Sequence, residues 1–193
     1  MVSSPACASR SRKPEMRIIS GQWRGRALVA PAGDATRPTA DRVREALFSM
    51  LASRLGSLED LRVLDGFAGT GALGLEALSR GAAHVTFVER DAAAVKSLRS
   101  NIATMKANAD VIPAPFETLG HAQAPCDLIM LDPPYESGLS DIALARLAER
   151  GWIAPHAIIS VETGKKDVLA SDYEVLAVRD HGKARLHLLR APG

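Results

Sequence analysis

Two periodicities alternate along the chain. Short apolar runs bounded by turn formers recur at residues 61–65, 84–89, 109–113, 126–131 and 157–162. Runs of this length, apolar on nearly every position, predict strands buried on both faces of a parallel sheet. Between them the apolar positions fall at helical spacing. One helix opens near Arg37-Pro38-Thr39, with Thr39 as candidate N-cap, and runs through Val43, Ala46, Leu47, Met50 and Leu51 to about Leu55. A second passes through Leu75, Ala77 and Leu78 and stops at Gly81. A third covers 91–106 and a fourth about 139–150. Residues 173–178 and 184–189 flank His181-Gly182-Lys183 and predict a closing antiparallel pair. Strand–helix alternation of this kind predicts an α/β fold, a mostly parallel sheet with helices on both faces.

The N-terminal third reads differently. Residues 1–15 are rich in Ser, Ala, Arg and Pro and lack periodicity, which predicts a disordered basic tail. Residues 17–29 hold two short β-prone runs around a glycine-containing turn, which predicts a small hairpin. The net charge is only +2, but residues 1–54 carry ten Lys/Arg against four acids, and the remainder is acidic. A basic front on a mildly acidic body suits a polyanionic partner. Arg17, Trp23, Arg24 and Arg26 join cationic heads to an aromatic face, a combination that serves phosphate contact and base stacking. The plainer alternative is a hairpin whose Trp covers the core. Arg42 and Arg44 lie two apart and so face different sides of their helix.

Composition bounds the rest. With 193 residues, 47% hydrophobic and 24% charged, the chain has the make-up of a globular protein of one domain with a small appendage. No apolar run reaches the roughly 18 residues of a membrane span, and the N-terminus shows no apolar secretory core. The two cysteines, Cys7 and Cys126, form neither a disulfide framework nor a metal cluster, so a cytoplasmic protein without a metal is expected.

Two stretches carry chemistry. Gly69-x-Gly71-x-x-Gly74 follows the first strand and opens a helix, and Glu89 ends the next strand about 20 residues on. Glycines there let a ligand approach the backbone and the helix pack close; the acid suits ribose hydroxyls. Asp65 at the mouth of the loop disfavours a pyrophosphate, which needs the helix N-terminus free of negative charge. It suits an ammonium instead, and so favours S-adenosylmethionine over a nicotinamide or flavin; capping the next helix is its plainer role. The second stretch is Asp132-Pro133-Pro134-Tyr135, at the carboxyl end of the fourth strand. The prolines end the strand and stiffen the turn. The turn then offers a carboxylate, a free Pro133 carbonyl and a ring. Two acceptors can hold the two N–H groups of a nucleobase amine and aim its lone pair, while Tyr135 stacks on a base that is flipped out or unpaired.

Asp132-Pro133-Pro134-Tyr135 resembles the [DN]-P-P-[YF] motif of amino-directed nucleic-acid methyltransferases. Together with Arg17-Ile18-Ile19-Ser20-Gly21, Arg37-Pro38-Thr39, Asp41-Arg42-Val43-Arg44-Glu45 and the run from Asp65 to Ala77, it resembles the RsmD family of bacterial 16S rRNA guanine-N2 methyltransferases, over about residues 16–190. The resemblance implies a class I methyltransferase fold: a Rossmann-like seven-stranded sheet with an antiparallel C-terminal strand. It divides the chain into the tail (1–15), an RNA-facing hairpin and helix (16–55) and a catalytic domain (56–193). It implies methyl transfer to a guanine amine of 16S rRNA, in the small ribosomal subunit or an assembly intermediate, by a protein expected to be monomeric. Catalysis falls to Asp132, Pro133, Pro134 and Tyr135. Cofactor binding falls to Asp65, Gly66, Phe67, Ala68, Gly69, Gly71, Glu89, Arg90 and Phe116. Substrate binding falls to Arg17, Trp23, Arg24, Arg26, Arg37, Thr39, Arg42 and Arg44. The chain departs from the class pattern after the third strand, where Pro113-Ala114-Pro115-Phe116-Glu117 places no acid at the expected adenine position. Either Phe116 packs on the adenine or Glu117 reaches it. Transfer to adenine N6 or to another amine, and a non-enzymatic rRNA-binding assembly factor, are the competing readings.

Overall fold

The computed structural model of the chain describes residues 16–31, 38–135 and 137–193, with the side chains of 38–40 outside the description. The basic tail and Arg37 lie outside the described residues. Seven strands form one sheet: β1 (Arg62–Gly66), β2 (His84–Val88), β3 (Ala109–Ile112), β4 (Cys126–Leu131), β5 (Ile153–Gly164), β6 (Glu174–His181) and β7 (Ala184–Arg190). Their order is β3-β2-β1-β4-β5-β7-β6. The strands from β3 to β5 pair in parallel, and β7 is antiparallel to both β5 and β6. This is the expected seven-stranded, mostly parallel sheet. The expected fifth strand is longer than its apolar run, because β5 extends to both sides of residues 157–162.

Alternation along the strands sorts the core into two layers. Val63, Leu128, Met130 and Ile158 point to one face, where α1 (Pro38–Leu55), α2 (Ala72–Ser79) and α3 (Ala92–Met105) pack. Leu64, Ile129, Leu131, Ile159 and Val161 point to the other, under α4 (Leu139–Glu149) and the short 3-10 turn Phe116–Thr118. Cys126 belongs to this second layer, and burial pushes its thiol up to about 12.

The N-terminal segment shares the first layer. Ile18 and Leu28 are buried with Val43, Leu47, Phe48 and Leu51 of α1 and with sheet residues. The expected hairpin is reduced to one bridge, Arg17 to Ala27, closed by hydrogen bonds from Ile18 N to Arg26 O and Leu28 N to Met16 O. Polar side chains from the helices finish the work a longer ladder would do. Glu76, fully buried on α2, accepts the amides of Ile19 (2.7 Å) and Ser20 (2.9 Å) and pairs with Arg80 (2.8 Å). Ser79 accepts from Trp23 N, and Asn101 of α3 brackets Val29 through its N–H and C=O. Buried backbone groups must find partners, and these do so on the helices rather than within the hairpin. α1 begins at Pro38, whose fixed φ suits a first helical position. Thr39 is therefore a first-turn residue, and the expectation of an N-cap there is corrected.

Candidate active site

The strand order reverses between β1 and β4, and in open α/β sheets that reversal opens a crevice at the carboxyl ends. Both chemical stretches of the sequence end there. Gly66 lies opposite Leu131 in the ladder, and Asp132 N reaches Gly66 O at 3.4 Å. The Asp132 turn and the glycine loop are thus direct neighbours, although 66 and 132 are far apart in sequence.

On one side of the turn is a cleft of about 820 Å³. Phe67, Glu89, Arg90, Phe116 and Glu117 line it together with Asp132 to Tyr135. Phe67 and Phe116 meet at 4.7 Å between ring centroids, tilted by 37°. Phe116 is buried while Glu117 is exposed, and both line this cleft. The loop is tight. Phe67 has φ 61, an uncommon conformation for a residue with a side chain. Gly69 also has positive φ, and a Cβ there would meet nothing within 4 Å, so the loop leaves open space on the side where a ligand approaches. Gly74 differs: a Cβ there would lie 2.3 Å from the Phe87 ring, which explains the third glycine by helix–sheet packing. Glu89 braces the loop by accepting Gly69 N and Asp91 N, each at 2.8 Å. Asp65 accepts Gly74 N at 2.8 Å, in the first turn of α2. The capping role therefore exists. Its second oxygen has lone pairs to spare, so capping does not exhaust the carboxylate. Burial raises the Asp65 pKa well above the ordinary value; the Gly74 bond opposes this, and Asp132 and Glu89 add to it. Asp65 is buried and lines neither cleft.

On the other side of the turn is a second cleft of about 480 Å³. Val43, Arg44 and Leu47 of α1, Leu73 of α2 and Lys183 of the β6–β7 turn wall it, and Asp132, Tyr135 and Glu162 belong to both clefts. The ladder explains the meeting of the two acids. Leu131 pairs with Val161, so the next residues, Asp132 and Glu162, emerge side by side. The Tyr135 hydroxyl donates to Glu162 Oε1 at 2.5 Å. Asp132 keeps a solvent-accessible face, yet it sits on a concave floor with protein around it. Lost hydration and the Glu162 carboxylate push it up to about 7. Burial raises Glu162 as well, against the Tyr135 bond and His181.

The basic candidates are dispersed. Arg24, Arg26 and Arg42 are exposed. Arg17 is exposed and donates to Gly25 O at 2.8 Å. Arg44 is buried: it donates to Arg17 O (2.6 Å) and Asp41 (3.1 Å), and so ties α1 to the hairpin. Trp23 is half-buried against the first core layer. Sequence reasoning passed over Glu162, Glu76 and Lys183. Glu162 had a signal, being an acid that ends a core strand as Asp65 and Glu89 do. Glu76 had none, since its partners are backbone amides distant in the chain. Among the described residues, no group of three or more His, Cys, Asp and Glu is placed to hold a metal ion, and no helix is long and apolar enough to cross a membrane.

The family model "Conserved hypothetical protein 95" matches residues 16–190. The chain belongs to this family, and the expected RsmD relationship holds. It is 46% identical over 151 residues to the Escherichia coli K12 protein named ribosomal RNA small subunit methyltransferase D, covering 77% of this chain and 75% of that one. The Haemophilus influenzae protein of the same name is 43% identical over 159 residues, covering 79% and 81%. The solved structure of the Escherichia coli protein yhhF superposes with a TM-score of 0.81 at 39% identity, over 93% of this chain and 99% of that one. The fold is that of a class I methyltransferase.

Proposed function

We propose that the chain is an rRNA methyltransferase that transfers a methyl group from S-adenosylmethionine to the N2 amine of a guanine in 16S rRNA of the small ribosomal subunit. The observation that carries this reading is the shared floor of the two clefts. A loop and acid suited to a nucleoside ligand lie on one side of Asp132-Pro133-Pro134-Tyr135, and a separate cleft opens on the other.

The residues present fit the methyl donor. Glu89 and the open face at Gly69 suit a ribose, Phe67 and Phe116 offer apolar surface to an adenine, and Asp65 suits an ammonium. When bound, S-adenosylmethionine supplies an electrophilic methyl carbon whose bond pair departs with sulfur. This chain's own task is the acceptor. An exocyclic amine is a weak nucleophile because its lone pair is delocalised into the ring. The Asp132 carboxylate and the Pro133 carbonyl would accept its two N–H groups, favour a pyramidal nitrogen and direct the lone pair toward the first cleft, which is orientation rather than strong acid–base chemistry. A carboxyl near 7 is then suited to take up the proton the amine releases. Arg24 and Arg26, exposed on the hairpin, would contact rRNA phosphates.

The test is direct. Small subunits isolated from a strain lacking this enzyme are incubated with labelled S-adenosylmethionine, and the product nucleotide is mapped by mass spectrometry. N2-methylguanine at one position is expected. Label on adenine N6, or none, defeats the reading.

A further inference from the structure

The cleft walled by α1 and the β6–β7 turn holds a carboxylate to which the methyl-transfer reading gives no task, that of Glu162. We propose that Glu162 is a specificity-determining residue, accepting the N1–H of the acceptor guanine while the Asp132 turn holds its N2 amine. This rests on the reading of the chain as a guanine-N2 methyltransferase.

Three observations place it. The β4–β5 register brings Glu162 beside Asp132 at the sheet edge. Alternation along β5 turns Glu162 away from the buried Val161 side and toward the cleft lined by Val43, Leu47 and Lys183. The Tyr135 hydroxyl occupies Oε1 and fixes the carboxylate, and Oε2 accepts no hydrogen bond among the described residues. The site is thus a positioned pair of carboxyl groups with acceptor capacity facing one space.

Base chemistry does the rest. Guanine presents N1–H and N2–H as adjacent donors on one edge. Two neighbouring acceptors match that edge. Adenine presents its N6 amine beside a bare N1 lone pair, and cytosine its N4 amine beside a bare N3 lone pair. Either would set a lone pair against the Glu162 oxygen. A Pro-Pro-Tyr turn with one carboxylate reads only an amine; the second carboxylate adds the neighbouring atom and so rejects the other two amines. Unsatisfied pairing in a desolvated site is the strongest form of base discrimination available without editing. The titratable groups that share this cleft with Glu162 are Asp132 just after β4, Tyr135 in the turn, His181 at the end of β6, Lys183 beyond it and Arg44 on α1.

The substitution Glu162→Ala tests it. Alanine leaves no acceptor beside Asp132, whereas an amide would keep one by turning its N–H2 to the Tyr135 hydroxyl. Activity is measured on small subunits from the deletion strain with guanine at the mapped position, and on reconstituted subunits with adenine there. Wild-type protein should methylate the guanine subunits and leave adenine unmodified. E162A should lose at least about tenfold in kcat/KM on guanine, and its guanine-to-adenine preference should narrow by at least about tenfold. Tyr135→Phe keeps both carboxylate oxygens, so it should slow transfer while retaining that preference. S-adenosylmethionine affinity of E162A should match wild type and its thermal melt should remain cooperative. An unchanged preference in folded E162A overturns the proposal, and so does Y135F reproducing the E162A preference, which would make Glu162 only a tether for the ring. Failure of wild-type protein to methylate the guanine subunits defeats the underlying reading instead, and the wild-type arm shows this separately.

Discussion

The two sides of the Asp132 turn are built in different ways. The loop side draws on short contiguous stretches at the ends of β1, β2 and β3; the first closes in a glycine turn, the second in the acid Glu89, and the third runs into Pro113 and on to Phe116. Its geometry is local: Glu89 braces Gly69, Asp65 caps α2, and Gly74 lets the Phe87 ring pass. The other side is assembled from Met16, α1, the start of α2 and the β6–β7 turn, which meet only because the sheet and its helices bring them together. A contiguous site tolerates change elsewhere in the protein. A dispersed site depends on every contact that sets the position of its walls, including the Arg44 bond to the hairpin and the Glu76 bonds beneath it.

That contrast breaks in a defined order. The largest effect is expected from Asp132→Ala, since Asp132 belongs to both sides. Methyl transfer should fall by about 10²- to 10⁴-fold with S-adenosylmethionine affinity near wild type by calorimetry; a fully active variant removes the residue from the mechanism. Next is Glu76→Ala. It strands the amides of Ile19 and Ser20 and should cost about 3 kcal/mol in denaturant unfolding. Activity on subunits should fall in the residual folded protein while donor affinity holds. Equal loss on both sides contradicts the division. Glu89→Gln is the converse. It should weaken donor binding by about tenfold to a hundredfold, in line with about 1.5–3 kcal/mol for a bond to a charged group, and leave subunit affinity unchanged.

A pH series separates the sides without mutation. Asp132 is raised from 3.8 to about 7 by the fold, which therefore favours its protonated form. Its contribution to stability is fully present below 3.8 and is lost as pH rises through about 7. Transfer requires the carboxylate, so its rate should fall as pH drops through about 7. Acidification from 8 to 6 should thus slow the reaction while this group's contribution to stability increases. In Asp132→Asn this opposing contribution should disappear from thermal melts; a retained slope assigns it to another group. The smallest effect is expected from joint neutralisation of Arg24 and Arg26. RNA affinity should weaken, and the salt slope should fall by about one per arginine. An unchanged slope removes the hairpin from the RNA contact.

The legibility of the molecule follows the same line. The parallel strands could be read because burial on both faces leaves near-continuous apolar runs, the helices because their apolar positions recur at helical spacing, and the closing hairpin because its two runs flank a glycine turn. The loop side was readable because turns need glycine and strand ends present their acids at fixed spacing. The hairpin was half-legible. Its β-prone runs are present, but one bridge and a set of helix side chains hold it, and no local pattern records Glu76 or Asn101 as partners of backbone groups.

The sequence by itself determined the alternation of strands and helices, the glycine loop with Asp65 and Glu89, and the rigid Asp132 turn, because each depends on residues near one another in the chain. Only the tertiary structure decided what those parts face. Register between β4 and β5 set Glu162 beside Asp132, since a ladder fixes which residues emerge together. Packing of α1 buried Arg44 at the wall of the second cleft and set its guanidinium on the Arg17 carbonyl, because a buried donor needs a partner.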